Sequence, residues 1–256
     1  MEVYSSDFDV ELKDDLSPLT LADKQAHNSI VEELAHFGIQ ILSEEGSSIA
    51  YTERSGLQQL WIVDPLDGTK EFVKKNGEFT VNIALIESQI PVLGVIYQPT
   101  ENLLFFGCEG KGSYRLRNCG SGFSLPDTLS EFLALCTRLP DTPPHSDLRV
   151  ACSRSHLNTE TSRYVSKLKK GQKEVSFVQA GSSLKFCLVA EGSADVYPRF
   201  GPTMEWDTAA GQAIAVNAGG QVINPDTGQS LVYNRKDLLN GSFLVKGPGL
   251  SSGMEF

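Results

Sequence analysis

The stretch WIVDPLDGTKEF, residues 61–72, runs an apolar strand-like segment into two carboxylates three positions apart, Asp64 and Asp67, and follows them with Gly68 and Thr69. A carboxylate taken out of water needs a partner of opposite charge or a set of hydrogen-bond donors. Asp-Pro and Asp-Gly are both common turn formers, so the pentapeptide alone is compatible with a plain turn. Trp61, Ile62 and Val63 weigh the other way: they carry Asp64 to the carboxyl end of a buried strand, where an acid that only turns the chain gains nothing from apolar neighbours.

Two carboxylates held a few ångströms apart in a partly buried site repel by several kcal/mol at an intermediate effective dielectric, and something positive must sit between them. A hard divalent cation with oxygen ligands answers that need, and Mg²⁺ typically takes a few carboxylates, a backbone carbonyl, and water or phosphate oxygens. Across a tight proline turn Asp64 and Asp67 converge on one point with the Leu66 carbonyl between them. Gly68 and Thr69 then open a short helix, TKEFVKK, whose free N–H groups suit an anionic phosphate.

Glu44 and Glu45 end the preceding strand, IQILSEEG, and one of them reaches the same cation if the two strands pair; otherwise both are solvated loop acids. Asp207, in MEWDTAAG, also reads as the N-cap of the helix that follows, and spacing alone does not link it to Asp64.

Composition narrows the class. With Lys+Arg 22 against Asp+Glu 32 the net charge is -10, which argues against nucleic-acid binding and makes any phosphate-bearing ligand depend on local positive charge. The five cysteines are widely spaced with no C-x-x-C pair, so they read as reduced thiols of a cytosolic-type compartment. The acidic N-terminus lacks a signal-peptide core and no apolar run approaches the ~18 residues of a membrane span. A cytoplasmic protein without membrane integration is expected. GCEGKGSYR fails the phosphate-loop and dinucleotide templates, and H-E-x-x-H does not occur.

Thr20 and Asp23 open a helix that Gly38 stops. From Phe79 the runs FTVNIALIE, PVLGVIYQP and LLFFGCEGKGSYRL read as an antiparallel meander. The proline-rich segment from Asn118 to Ser146 reads as a connection around a helix LSEFLALCTR. Thereafter strand and helix alternate: LRVACSRSH, a helix over 159–170, EVSFVQAG, SSLKFCLVAEG, ADVYPRF and DTAAGQAIAVNAGG. Such alternation implies an α/β layer, and GPGLSSGMEF reads as a loose tail.

WIVDPLDGTKEF followed by NGEFTVNIALIE, with WDTAAG far downstream, resembles the lithium-sensitive, magnesium-dependent sugar-phosphatase superfamily of inositol monophosphatases and fructose-1,6-bisphosphatases. Lys70, Glu71 and Phe72 after the Thr, with SRSH, AGSSLKFCLVAEG and YPRFGPT, resemble its 3'(2'),5'-bisphosphate nucleotidase branch of CysQ type. The likeness runs from Met1 to Val245. It implies an α/β chain with a layered α-β-α-β-α fold: an α+β metal-binding lobe over residues 1–125 and an α/β substrate-binding lobe over 126–256. Family members begin with a further helix, so the chain reads as a shortened form.

The resemblance makes Glu44, Asp64, the Leu66 carbonyl, Asp67 and Asp207 ligands of two or three Mg²⁺ ions, and Thr69 and Asp23 the pair that polarises the attacking water. Asp23 also has an ordinary reading as an acid complementing the helix dipole. Gly68 and Thr69 would hold the phosphoryl oxygens. The implied reaction is hydrolysis of 3'-phosphoadenosine 5'-phosphate to AMP and phosphate, as in sulfur assimilation, with His156, Ser182, Lys185 and Arg199 on the nucleotide. Those four have plainer readings as strand-end, helix-cap and surface residues. An inositol phosphate phosphatase, or a catalytically silent ligand-binding member of the fold, is the alternative. The resemblance implies a small-molecule partner and leaves monomer and homodimer open.

Overall fold

A computed structural model of the chain describes residues 1–6, 10–12, 18–143, 145–153, 159–171 and 174–250. In chain order the elements of the first half are α1 (Glu2–Ser5), β1 (Val10–Leu12), β2 (Pro18–Thr20), α2 (Leu21–Ala35), β3 (Ile41–Ser43), α3 (Tyr51–Arg54), β4 (Gln59–Asp67), α4 (Thr69–Val73), β5 (Thr80–Glu87), β6 (Ile90–Gln98), β7 (Leu103–Cys108), β8 (Gly112–Arg117), α5 (Leu129–Ala134) and β9 (Thr137–Leu139). The second half adds β10 (Leu148–Cys152), α6 (Thr159–Gly171), β11 (Val175–Gln179), α7 (Leu184–Glu191), β12 (Val196–Arg199), β13 (Thr203–Met204), α8 (Glu205–Asn217), β14 (Gln221–Ile223), β15 (Leu239–Asn240) and β16 (Phe243–Lys246).

Two sheets organise the molecule. The first has seven strands in sequence order, β3 to β9, antiparallel throughout except for the parallel β3–β4 pair. The expected meander is therefore present, and it is longer than expected: β9 lies inside the segment read as a connection, and pairs with β8. The second sheet is mixed, in the order β11-β10-β12-β16-β14. Its parallel β10–β11 and β10–β12 pairs come from the strand-helix alternation, as right-handed crossovers favour. Residues 154–158 and 251–256, the ends of the expected strand LRVACSRSH and of the tail, include positions outside the described residues.

Between the sheets lie α7 and α8. Cys187, Ala190, Ala209, Ala210 and Ile214 pack on Leu60, Ile62, Ala84 and Ile96 of the first sheet, while Phe186, Val189 and Ala215 pack on Tyr197, Val222, Phe243 and Val245 of the second. A helix covered on both sides has to bury most of its surface, and α8 does, with nine buried residues of which Glu205, Thr208 and Gln212 are polar and hydrogen-bonded. The outer faces are covered by α2, through Leu34 against Trp61 and Val63, and by α6, through Tyr164, Val165 and Leu168 against Val150, Val196 and Leu244. The layers thus run helix, sheet, helix, sheet, helix.

Two glycines set how closely α8 approaches. Gly94 of β6 and Gly107 of β7 are direct cross-strand partners. A β-carbon on Gly94 would lie 2.3 Å from the Ala210 carbonyl oxygen, and one on Gly107 2.8 Å from Ile214 Cα. No side chain fits between strand and helix there, so α8 is seated by backbone shape.

Candidate active site

The two acids of the DPLDG stretch are brought to one face of the sheet by a bulge. Asp64 stands opposite Asn82 and Asp67 opposite Thr80, so two residues of β4 separate the acids where one residue of β5 separates their partners. In a regular strand, side chains three apart face opposite ways; the extra residue turns Asp67 back to the side of Asp64. The tight turn expected here is this irregularity within a continuous strand. Pro65 is tolerated because a bulged position needs no ladder donor.

Glu44 comes from the neighbouring strand. Ser43 is in register with Val63, so Glu44 follows beside Asp64, its N–H donating to the Val63 carbonyl at 3.1 Å. Asp207 arrives from α8 as the third helical residue, and its carboxylate accepts the Met204 N–H at 2.7 Å. It therefore performs the capping task foreseen for it, from inside the helix rather than from the cap position. Carboxylate oxygens of Asp64, Asp67 and Asp207 all lie within 4.8 Å of one another.

Such crowding is electrostatically costly. Burial, followed by the charges of Glu44, Asp67 and Asp207, pushes the Asp64 carboxyl well above the usual carboxylate range. Burial and then Asp67 push Asp207 up to about 7, with Glu44 adding to the rise, against the Met204 N–H and Arg199, which lower it. Asp64, Asp67 and Asp207, with the charge of Glu44 acting on two of them, form an all-oxygen set whose charges oppose one another. That donor chemistry fits a hard divalent cation.

Beside them, Asp23 is divided between two tasks. One oxygen accepts the Thr20 N–H at 2.7 Å and the Thr20 hydroxyl at 2.6 Å, completing the capping box of α2. The other faces Thr69, whose hydroxyl lies 3.3 Å from Asp23 Oδ1 and 3.3 Å from the Leu66 carbonyl. The helix-start reading of Asp23 thus holds on one oxygen, while the other is placed beside Thr69. Gly68, at φ 90, provides the left-handed residue that lets α4 start at Thr69.

A cleft of about 320 Å³ opens from Asp67 and Asp207, with Gly68, Lys70, Glu71, Lys74 and Glu78 on one side and Ser182, Ser183, Lys185, Tyr197 and Arg199 on the other. Lys185 is buried, which corrects its reading as a surface charge. Its ammonium donates to the Ser182 carbonyl at 2.6 Å and the Ala180 carbonyl at 3.2 Å, and sits 5.3 Å above the Tyr197 ring. Burial lowers its pKa to about 8, although Asp67 pulls the other way.

Ser182 does not cap α7: that position belongs to Ser183, and the Ser182 hydroxyl donates to the Glu78 carbonyl at 3.0 Å from a left-handed backbone with φ 37. Arg199 donates to the Pro202 carbonyl at 3.1 Å and lines the cleft. His156 lies outside the described residues. Lys70, Lys74 and Ser183 were not anticipated as cleft residues, nor was Asn82 as a partner of Asp67, which Ser183 also contacts. The signal for Asn82 was present in TVNIALIE: two polar residues, Thr80 and Asn82, share the strand face that Ala84 and Ile86 bury.

A profile of the inositol monophosphatase family matches residues 1–252. The 3'(2'),5'-bisphosphate nucleotidase CysQ of Salmonella typhimurium is 45% identical over 250 residues, covering 96% of this chain and 92% of that protein. The crystal structure of CysQ from Bacteroides thetaiotaomicron, a bacterial member of the same family, superposes with a TM-score of 0.84 at 49% identity, covering 92% of this chain and 86% of that one. An IMPase/NADP phosphatase complexed with Mg²⁺ and phosphate shares the fold, with a TM-score of 0.68 at 20% identity over 94% of this chain and 82% of that one. No helix among the described residues is long and apolar enough to cross a membrane.

Proposed function

The chain belongs to the inositol monophosphatase family, and we propose that within it the protein is a 3'(2'),5'-bisphosphate nucleotidase, a Mg²⁺-dependent hydrolase that converts 3'-phosphoadenosine 5'-phosphate to AMP and phosphate. The observation that carries the chemistry is the meeting of Asp64, Asp67 and Asp207 within 4.8 Å at the head of the cleft. The relatives named as bisphosphate nucleotidases carry the substrate.

Phosphate monoesters are among the slowest esters to hydrolyse unaided. Glu44, Asp64, the Leu66 carbonyl, Asp67 and Asp207 would hold the cations, on the order of two or three in number. Bound there, Mg²⁺ supplies Lewis acidity, neutralising phosphoryl oxygens and making water a competent nucleophile at neutral pH. Thr69 Oγ1, aimed by its bond to Asp23 Oδ1, keeps lone pairs free to accept the proton of the attacking water and passes its own proton to Asp23. The N–H groups of Gly68 and Thr69 hold the phosphoryl oxygens, and no residue becomes phosphorylated.

The retained 5'-phosphate finds in Lys185 and Arg199 the local positive charge that a net charge of -10 withholds elsewhere. Ser182 shapes this wall of the cleft, and the resemblance assigns His156 to the nucleotide as well. Inositol 1-phosphate lacks a second phosphate and leaves that wall unused. Phosphate release from a panel of bisphosphate nucleotides and inositol phosphates, with Mg²⁺ and with chelator, tests the reading. Strong preference for the 3',5' nucleotide and silence in chelator are expected; equal rates on inositol 1-phosphate would overturn the substrate assignment.

A further inference from the structure

Asp67 is held by a chain of hydrogen bonds that starts on the neighbouring strand, at its cross-strand partner Thr80. The Thr80 hydroxyl donates to Asn82 Oδ1 at 3.1 Å, and Asn82 Nδ2 donates to Ser183 Oγ at 2.8 Å. Ser183 Oγ in turn donates to Asp67 Oδ2 at 2.6 Å, an oxygen that Asn82 Nδ2 also approaches at 3.3 Å. Thr80, Asn82 and Ser183 are all at least nine-tenths buried. Once Thr80 donates to the amide oxygen, each following group has a fixed sense: the amide can only give, the hydroxyl accepts from it and gives to the carboxylate.

The chain is also the junction of the two halves of the site. Thr80 and Asn82 belong to β5, in register with Asp67 and Asp64, whereas Ser183 stands at the start of α7 and lies 3.0 Å from the backbone carbonyl of Asp207. One hydroxyl therefore touches both an acid of the first sheet and the helix that carries Asp207. A half-buried carboxylate whose side-chain donors among the described residues converge on Oδ2 has its second oxygen left for something else.

We propose that Ser183, oriented by Asn82, is a positioning residue that fixes the rotamer of Asp67 so that Oδ1 faces the cation site. This rests on the reading of Asp67 as a cation ligand. A ligand held in its binding rotamer before the ion arrives loses little conformational freedom on coordination, and loss of such support typically lowers metal affinity tenfold or more. A residue serving only the fold would move stability and leave ion affinity alone.

The test is Mn²⁺ binding, read by the electron paramagnetic resonance of free Mn²⁺, to the substrate-free full chain and to its Ser183→Ala, Asn82→Ala, doubly substituted and Asp67→Asn forms. Ser183→Ala is expected to bind about tenfold more weakly, with the KM for Mg²⁺ in turnover rising alike. Asn82→Ala is expected to lose several-fold, and the double variant less than the product of the two, because the amide acts largely through the hydroxyl. Metal-free Ser183→Ala should melt within about 4 °C of the parent. Mn²⁺ affinity of Ser183→Ala within twofold of the parent overturns the proposal, as does a metal-free form that no longer unfolds cooperatively, since the bond would then serve the fold. If Asp67→Asn binds Mn²⁺ like the parent, the reading of Asp67 itself fails.

Discussion

The hydroxyl of Thr69 lies 3.3 Å from Asp23 Oδ1, while the other oxygen of Asp23 is occupied by the N–H and hydroxyl of Thr20. A helix cap thus also orients the Thr69 hydroxyl, the proton acceptor of the proposed mechanism. The sequence element that starts α2 aims a carboxylate at a residue 46 positions further along the chain.

Loss of either partner should therefore act on turnover rather than binding. Thr69→Ala and Asp23→Asn are expected to lower kcat about 10²–10⁴-fold with little change in KM for the nucleotide. Thr20→Ala should cost about 1 kcal/mol of stability and lower kcat to a smaller degree, because Asp23 is loosened but not removed. Steady-state kinetics together with thermal melts separate the three effects.

The crowded acids make a prediction that runs against the usual direction of mutation. Asp64→Asn removes a buried charge that Glu44, Asp67 and Asp207 all oppose, so the metal-free variant should melt at a higher temperature than the metal-free parent. Saturating Mg²⁺, at about 100 times its dissociation constant, should stabilise the parent by about 2.7 kcal/mol, or roughly 5–10 °C, and the variant far less. Differential scanning calorimetry with Mg²⁺ and with chelator reads both effects.

How much of this was legible in the chain differs from residue to residue. DPLDG, the acids at strand ends and the Thr20–Asp23 cap are local patterns, and local patterns survive into the fold. The bulge was not legible, because a proline between two acids is also good turn chemistry; only the pairing of Asp64 with Asn82 and of Asp67 with Thr80 distinguishes the two. The strand β9 is three residues long and follows a short helix in proline-rich surroundings, where sheet pairing overrides local preference.

Lys185 was misjudged in its plainer reading for a related reason: SSLKFCLVAEG has the look of a helix with one solvated cation, and only its place between two sheets shows that every face is covered. Ser183 offered no signal at all. Its side-chain partners, Asn82 and Asp67, are 101 and 116 residues away.

If Lys185 holds the 5'-phosphate as proposed, its burial should give the reaction an alkaline limb. With its pKa lowered to about 8, the ammonium is charged below that pH and neutral above it, and only the charged form attracts a phosphate. kcat/KM for the bisphosphate should therefore fall as pH rises through about 8, approaching about tenfold per pH unit, carried by KM more than by kcat. Lys185→Met should have low kcat/KM at pH 7 and lose this limb. A pH profile of both proteins checks it.

Gly94 links the packing to the chemistry. Gly94→Ala places a β-carbon against the Ala210 carbonyl and Ala213, which α8 can relieve only by moving outward. A cost of about 1–3 kcal/mol is expected. Because Asp207 rides on α8, the KM for Mg²⁺ should rise in the same variant, whereas a stability-matched change on the far face of α2 should leave it unmoved.

The most direct test is phosphate release from 3'-phosphoadenosine 5'-phosphate while Mg²⁺ is titrated into the metal-free parent, Asp64→Asn and Asp207→Asn proteins. Remote carboxylates sharing cations predict saturable activation of the parent, reversal by chelator, and losses of several orders of magnitude in both variants. Release that proceeds without divalent cation, or that survives in either variant at a rate near that of the parent, would contradict it.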